Sequence, residues 1–181
     1  MKISTRLISE LKNITHENIQ FAETLLNKAD SELNFRISAE SWSVLECLEH
    51  LNRYGNFYIP EINDRTATSK FPSKTEFSPG ILGDYFAKSM LPKENLNKMK
   101  TFKSMNPINS KLDKNVVEVF INQQNQLLTL LEKSSLVDLE KTKTSVSISK
   151  LIKLKLGDTL RFVVYHNLRH IKQAENILRS A

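Results

Sequence analysis

Apolar residues recur at steps of three and four along almost the whole chain, and no other feature constrains the fold as much. Such spacing lays a stripe down one side of each of several helices and leaves strands little sequence to occupy. Only four glycines interrupt it in 181 residues. The first stripe, from about Ser4 to Ala29, holds Leu7, Leu11, Ile14, Phe21, Ala22, Leu25 and Ala29. The second starts at Val44, because Ser43 and Glu46 form a capping box in which each side chain bonds the other's backbone N–H. Trp42 and Cys47 are spaced for a hydrophobic staple across that cap. The stripe continues through Leu48, Leu51, Gly55 and Tyr58 and is expected to bend or end near Pro60, whose ring removes one helical hydrogen bond. A third helix spans about Asp113 to Lys133, with Val116, Val117, Phe120, Ile121, Leu127, Leu128 and Leu131 inward, and a fourth runs from about Leu156 to Leu178.

Two long connections separate these helices. Residues from about Arg65 to Lys114 hold four of the five prolines and a Pro79-Gly80 pair, too interrupted for one helix, so a crossover with a short helical turn around Ile81 to Lys88 is expected. The segment from Ser134 to Lys155 alternates at Thr144-Ser145-Val146-Ser147-Ile148, which predicts a short extended piece. The fold class is all-α. With 40% hydrophobic residues the chain can bury one sizeable core, and one domain over residues 1–181 is expected.

Composition limits the setting. Cys47 is the sole cysteine, so no internal disulfide forms and a reducing cytoplasm fits. Met1 to Leu11 mixes Lys2, Arg6 and Glu10 among its apolar residues and lacks the run that a signal peptide or membrane span needs, so a soluble, retained protein is expected. The net charge of +6 raises the question of a nucleic-acid partner. The densest lysines, Lys88, Lys93, Lys98, Lys100 and Lys103, lie among turn formers with no interleaved aromatic recognition motif, so the charge reads as a solvated surface.

The fourth helix carries the chemistry. At 100° per residue, Leu156, Leu160, Val163, His166, His170, Ala174 and Ile177 share one side, while Arg161, Tyr165, Arg169, Lys172 and Arg179 take the other. Two imidazoles therefore sit in the core stripe, where an unpartnered polar group costs on the order of 1–3 kcal/mol. One turn apart, they can aim ring nitrogens at a point about 2.0–2.1 Å from each, as a zinc-type ion requires. His50, at the shoulder of the second helix's apolar face, is a third candidate, since facing helices of a bundle supply the remaining ligands. Spacing alone serves a metal pair and an ordinary core pair equally.

Other residues divide by role. His16, flanked by polar residues, reads as a surface histidine. Cys47, three residues before His50, is either a thiolate ligand or a small buried hydrophobe completing the staple, and the staple favours the second. Glu46, one turn ahead of His50, can orient that ring as a supporting carboxylate, in competition with its capping duty. Tyr54 and Gln173 fall near the ligand line and are expected to face the same cavity and contact a substrate, although Tyr54 also suits the core.

The run Trp42-Ser43-Val44-Leu45-Glu46-Cys47-Leu48-Glu49-His50-Leu51, with His166-Asn167-Leu168-Arg169-His170-Ile171-Lys172-Gln173 far downstream, resembles the DinB-like superfamily, which includes the YfiT-type proteins. Ile81-Leu82-Gly83 and Lys98-Met99-Lys100 extend the likeness into the crossover, and Lys155 departs from it where a Ser or Thr cap is usual. The resemblance implies a four-helix bundle with a long crossover between helices two and three, a homodimer, and one divalent metal ion held by His50, His166 and His170. It also implies a metal-dependent thiol transferase or hydrolase acting on a small molecule such as a low-molecular-weight thiol. Three imidazoles accept Zn, Ni, Fe or Mn with little discrimination. The alternative is a non-catalytic, metal-stabilised binding or dimerisation module, which a fourth protein ligand such as Cys47 would favour. No residue stands out as a general base, and the catalytic residues are left unassigned.

Overall fold

The computed structural model describes residues 1–92 and 100–181, and within them the chain is mostly helical. In chain order the helices are α1 (Ser4–Leu25), α2 (Asp30–Leu33), α3 (Val44–Ala67), α4 (Ile81–Met90), α5 (Asn115–Ser134) and α6 (Leu156–Ser180). The long helices α1 and α3 each pack against both α5 and α6, which makes an all-α bundle. Lys93, Lys98 and Met99 lie outside the described residues. Among the described residues no helix is long and apolar enough to cross a membrane.

The capping box forms as read: the Ser43 hydroxyl accepts from the Glu46 N–H at 3.2 Å, and the Glu46 carboxylate accepts from the Ser43 N–H at 2.8 Å. Trp42 packs on the same apolar cluster that contains Cys47, so the staple closes. Past the cap, α3 does not end at Pro60 but runs on to Ala67. Tyr58 and Ile62 are buried on either side of the proline, and their packing offsets the one lost hydrogen bond. The first helix stops at Leu25 rather than Ala29, and the turn Asp30–Leu33 then buries Leu33 separately.

The alternating run forms half of a hairpin, in which β3 (Lys143–Val146) pairs antiparallel with β4 (Ser149–Lys155). A second, two-residue pairing joins β1 (Lys2–Ile3) to β2 (Glu76–Phe77). Lys155 offers α6 no side-chain cap. The first free N–H groups are satisfied by tertiary carbonyls instead, Leu156 to Thr142 at 2.9 Å and Gly157 to Leu139 at 3.0 Å.

The crossover helix α4 lies along α6. Its approach requires Gly83, because a Cβ there would stand 2.4 Å from an Asp158 carboxylate oxygen. This packing corrects one reading of the sequence: Arg161, Tyr165 and Arg169, placed on the side of the fourth helix opposite its core stripe, are all buried. Arg161 bonds Asp84 of α4 at 2.8 Å and Asp158 at 3.2 Å, and the Tyr165 hydroxyl donates to Glu10 of α1 at 2.9 Å.

Two apolar clusters fill the bundle. One gathers Leu7, Leu11, Tyr58, Ile62, Leu131 and Leu160, and the other Leu25, Val44, Leu48, Phe120, Ile171 and Ala174. Along α6 the first ends at Tyr165 and the second begins at Ile171. His166 and His170 occupy the junction.

Candidate metal centre

Each histidine is placed by a separate piece of local structure. The capping box fixes where α3 begins and hence where His50, nearly two turns in, faces. On α6 the one-turn separation stacks His166 above His170. All three rings are buried, and one nitrogen from each falls in a group whose members lie within 4.8 Å of one another. The two Nε2 atoms of His50 and His166 are 3.1 Å apart.

The protons on two of the rings follow from their partners. Nδ1 of His50 lies 2.7 Å from the Met105 carbonyl, which can only accept, so Nδ1 carries the hydrogen and Nε2 of the neutral ring holds a bare lone pair. Nδ1 of His170 donates to Oε1 of Gln173 at 2.9 Å, with the same result. Burial lowers the pKa of His50 to about 4 and that of His170 to about 3. His166 is pushed well below its ordinary value by burial, then by the charges its neighbours His170 and His50 would carry. At neutral pH the three rings are uncharged, the state in which imidazole ligates a metal.

The His50–His166 pair has the spacing that a divalent ion needs. Nitrogens about 2.0–2.1 Å from a tetrahedral centre stand roughly 3.3 Å from one another, close to the observed Nε2 separation. Cys47 does not belong to the group, and burial drives its thiol pKa well up, away from thiolate. It fills the apolar cluster beneath the cap.

Beside the histidines opens a cavity of about 740 Å³, and both Tyr54 and Gln173 line it. The Tyr54 ring stands 4.7 Å from that of His166 and 5.0 Å from that of His50, centroid to centroid, and burial raises its hydroxyl pKa. Gln173 does more than line the cavity, since it also holds His170. Glu46 makes no hydrogen bond to His50. Its oxygens take the Ser43 N–H, the Asn109 N–H at 2.7 Å and the Arg36 guanidinium, and the carbonyl of Met105 does the orienting instead.

Three further residues at this site were not singled out from sequence. Met105 acts through a backbone carbonyl, for which a sequence carries no signal. Phe162, stacked on His166 with centroids 5.7 Å apart, sits one turn before it, and that spacing could have found it. Arg169 lines the cavity from the side of the helix opposite the core stripe. His16, by contrast, is exposed on α1 as expected.

The DinB superfamily matches residues 15–174, a span that includes all three histidines, and the chain belongs to it. No curated protein and no solved structure matches the chain.

Proposed function

We propose that this member of the DinB superfamily is a metal-dependent enzyme that holds one divalent ion on His50, His166 and His170. It acts on a small molecule, by thiol transfer or by hydrolysis. The observation that carries the reading is the pairing of fixed tautomers with proximity: Met105 and Gln173 take the Nδ1 protons of His50 and His170, and one nitrogen from each of the three rings lies within 4.8 Å of the others. Three neutral ligands leave an ion its full charge and an open position, the setting in which a coordinated water or thiol loses its proton near neutral pH.

The chain's own residues contribute position and exclusion of water. Trp42 and Phe162 wall the rings, and Tyr54, kept protonated by burial, presents a hydroxyl donor on the cavity side. Glu40 is the one acid among the cavity's described lining residues. The reading extends to a cytoplasmic homodimer using Zn, Ni, Fe or Mn.

Metal analysis of the purified protein tests the site, with near-stoichiometric metal expected and its loss in His170→Ala. A screen pairing low-molecular-weight thiols with electrophiles and hydrolysable esters tests the activity, which chelation should abolish and metal restore. Chelation that lowers thermal stability with no turnover to lose would instead support a metal-stabilised binding or dimerisation module.

A further inference from the structure

The cavity beside the histidines is larger than a small thiol needs. At about 740 Å³ it falls in the range that encloses a drug-sized ligand. One of its walls is a continuous aromatic track. From His50 it runs along α3 through Tyr54 to Tyr58, eight residues and so about 12 Å. The Tyr54 ring stands 5.0 Å from that of His50, the rings of Tyr54 and Tyr58 lie parallel within 8° and 6.3 Å apart, and Phe162 closes on Tyr58 at 5.7 Å. The track ends under the β3–β4 turn, where the Ser147 N–H donates to the Tyr58 hydroxyl at 3.3 Å.

The turn end differs from the histidine end in what it offers a ligand. There α4 and the hairpin contribute Phe86, Met90, Val146 and Leu154, and no charged side chain from either is among the described lining residues. The two serines of that end already have partners in the fold: Ser89 donates to the Phe86 carbonyl at 2.8 Å, and the Ser147 hydroxyl lies 3.4 Å from that of Tyr58. Tyr85, the other hydroxyl contributed by α4, is exposed. A polar ligand group lying along this half exchanges water for walls that offer it little, whereas an apolar one gains by leaving water.

We infer that the substrate carries a straight, uncharged apolar tail, with its reacting group at the histidines and its tail laid along Tyr54, Tyr58 and Phe162 to the β3–β4 turn, which limits the length. At about 1.5 Å per C–C bond in a zigzag, a track of about 12 Å matches a chain of roughly ten carbons. The inference rests on the reading of this cavity as the substrate pocket of the metal site. It narrows the substrate from any small molecule to a medium-chain thiol or ester, and it gives the hairpin a part in specificity.

Trp42 supplies a reporter at the histidine end, being the sole tryptophan, a cavity-lining residue, and fixed by a 3.0 Å hydrogen bond from its indole N–H to Asn106. Its fluorescence, with calorimetry beside it, is followed while zinc-loaded and metal-free protein are titrated with the straight-chain alcohols butanol, hexanol, octanol, decanol and dodecanol. Binding should tighten roughly two- to fourfold for each methylene up to decanol and gain little more at dodecanol, in both forms. Val146→Phe, which fills the turn end of the track, should bring that plateau to a shorter chain and leave butanol unchanged. Should that variant not fold, Val146→Ala takes its place, and by removing contacts at the turn end it should weaken decanol several-fold with butanol again unchanged.

Affinity that is absent, or flat from butanol to decanol, overturns the inference. So does a length dependence that appears only with zinc, or one that neither change at Val146 moves. Zinc measured in the same preparations separates the two proposals. Protein that takes up no zinc yet ranks the alcohols by length refutes the metal reading alone, and zinc-loaded protein indifferent to length refutes this inference alone.

Discussion

Helix α6 buries two polar clusters within three turns of each other, and they are built on opposite logic. At its start, Arg161 is flanked by Asp158 and Asp84, Asp158 also accepts from the Gly80 N–H at 2.8 Å, and Lys88 takes the far side of Asp84. The charges of that cluster are spent on one another. Farther along, His166 and His170 meet His50 with no carboxylate among the three, and the bonds they make to Met105 and Gln173 turn lone pairs inward rather than using them up. A buried polar group whose partners all lie within the fold holds the fold together. One whose partners leave acceptors aimed at a common point is prepared for something that the chain itself does not supply.

The contrast can be broken by substitution. The largest expected effect is at the paired cluster: Arg161→Ala leaves Asp158 without its buried partner and should cost about 3–5 kcal/mol in urea unfolding. It should leave metal stoichiometry unchanged in whatever protein folds. Acid should pick out the other cluster. Above about pH 6.5 the histidines are neutral in both folded and unfolded chains and add no pH dependence. As pH falls, the unfolded chain takes up protons that the folded rings refuse, so metal-free protein should lose stability progressively toward about pH 4 for His50 and about pH 3 for His170. Thermal unfolding across that window, flat down to pH 4, would show that the rings are not desolvated as described.

Smaller effects sharpen the distinction. Gln173→Leu removes the acceptor that fixes the His170 tautomer and should weaken metal binding roughly 10–100-fold, with little change in metal-free stability. Competition against a chelator of known affinity measures it. Tyr165→Phe, which removes the hydrogen bond to Glu10 and the hydroxyl's contact with Arg161, should cost about 1–2 kcal/mol and leave metal affinity alone. If it instead shifts metal affinity, the two clusters are coupled and the division between them fails.

The two clusters were not equally legible in the sequence. The histidine site was legible in part: a capping box starts α3, the one-turn spacing of His166 and His170 survives in any helix, and the likeness of both runs to the DinB-like superfamily joined His50 to the pair. What escaped depends on distant chain. The ring of His50 is held by the crossover's backbone, and the paired cluster exists only because α4 folds back over α6 and α1 supplies Glu10. Arg161, Tyr165 and Arg169 look like a solvated face until those neighbours cover them. Pro60 misleads for a related reason, since packing of the flanking residues outweighs a local penalty. Lys155, a poor cap in isolation, is made tolerable by carbonyls arriving from Leu139 and Thr142.

On the proposed reading, three imidazole nitrogens converge on one ion with no sulfur among them. X-ray absorption at the metal edge of the zinc-loaded protein addresses this directly. Three histidine nitrogens at about 2.0–2.1 Å, with outer-shell imidazole scattering and no sulfur, is the expected spectrum. A sulfur shell at about 2.3 Å, or fewer than three imidazoles, would rule out this ligand set.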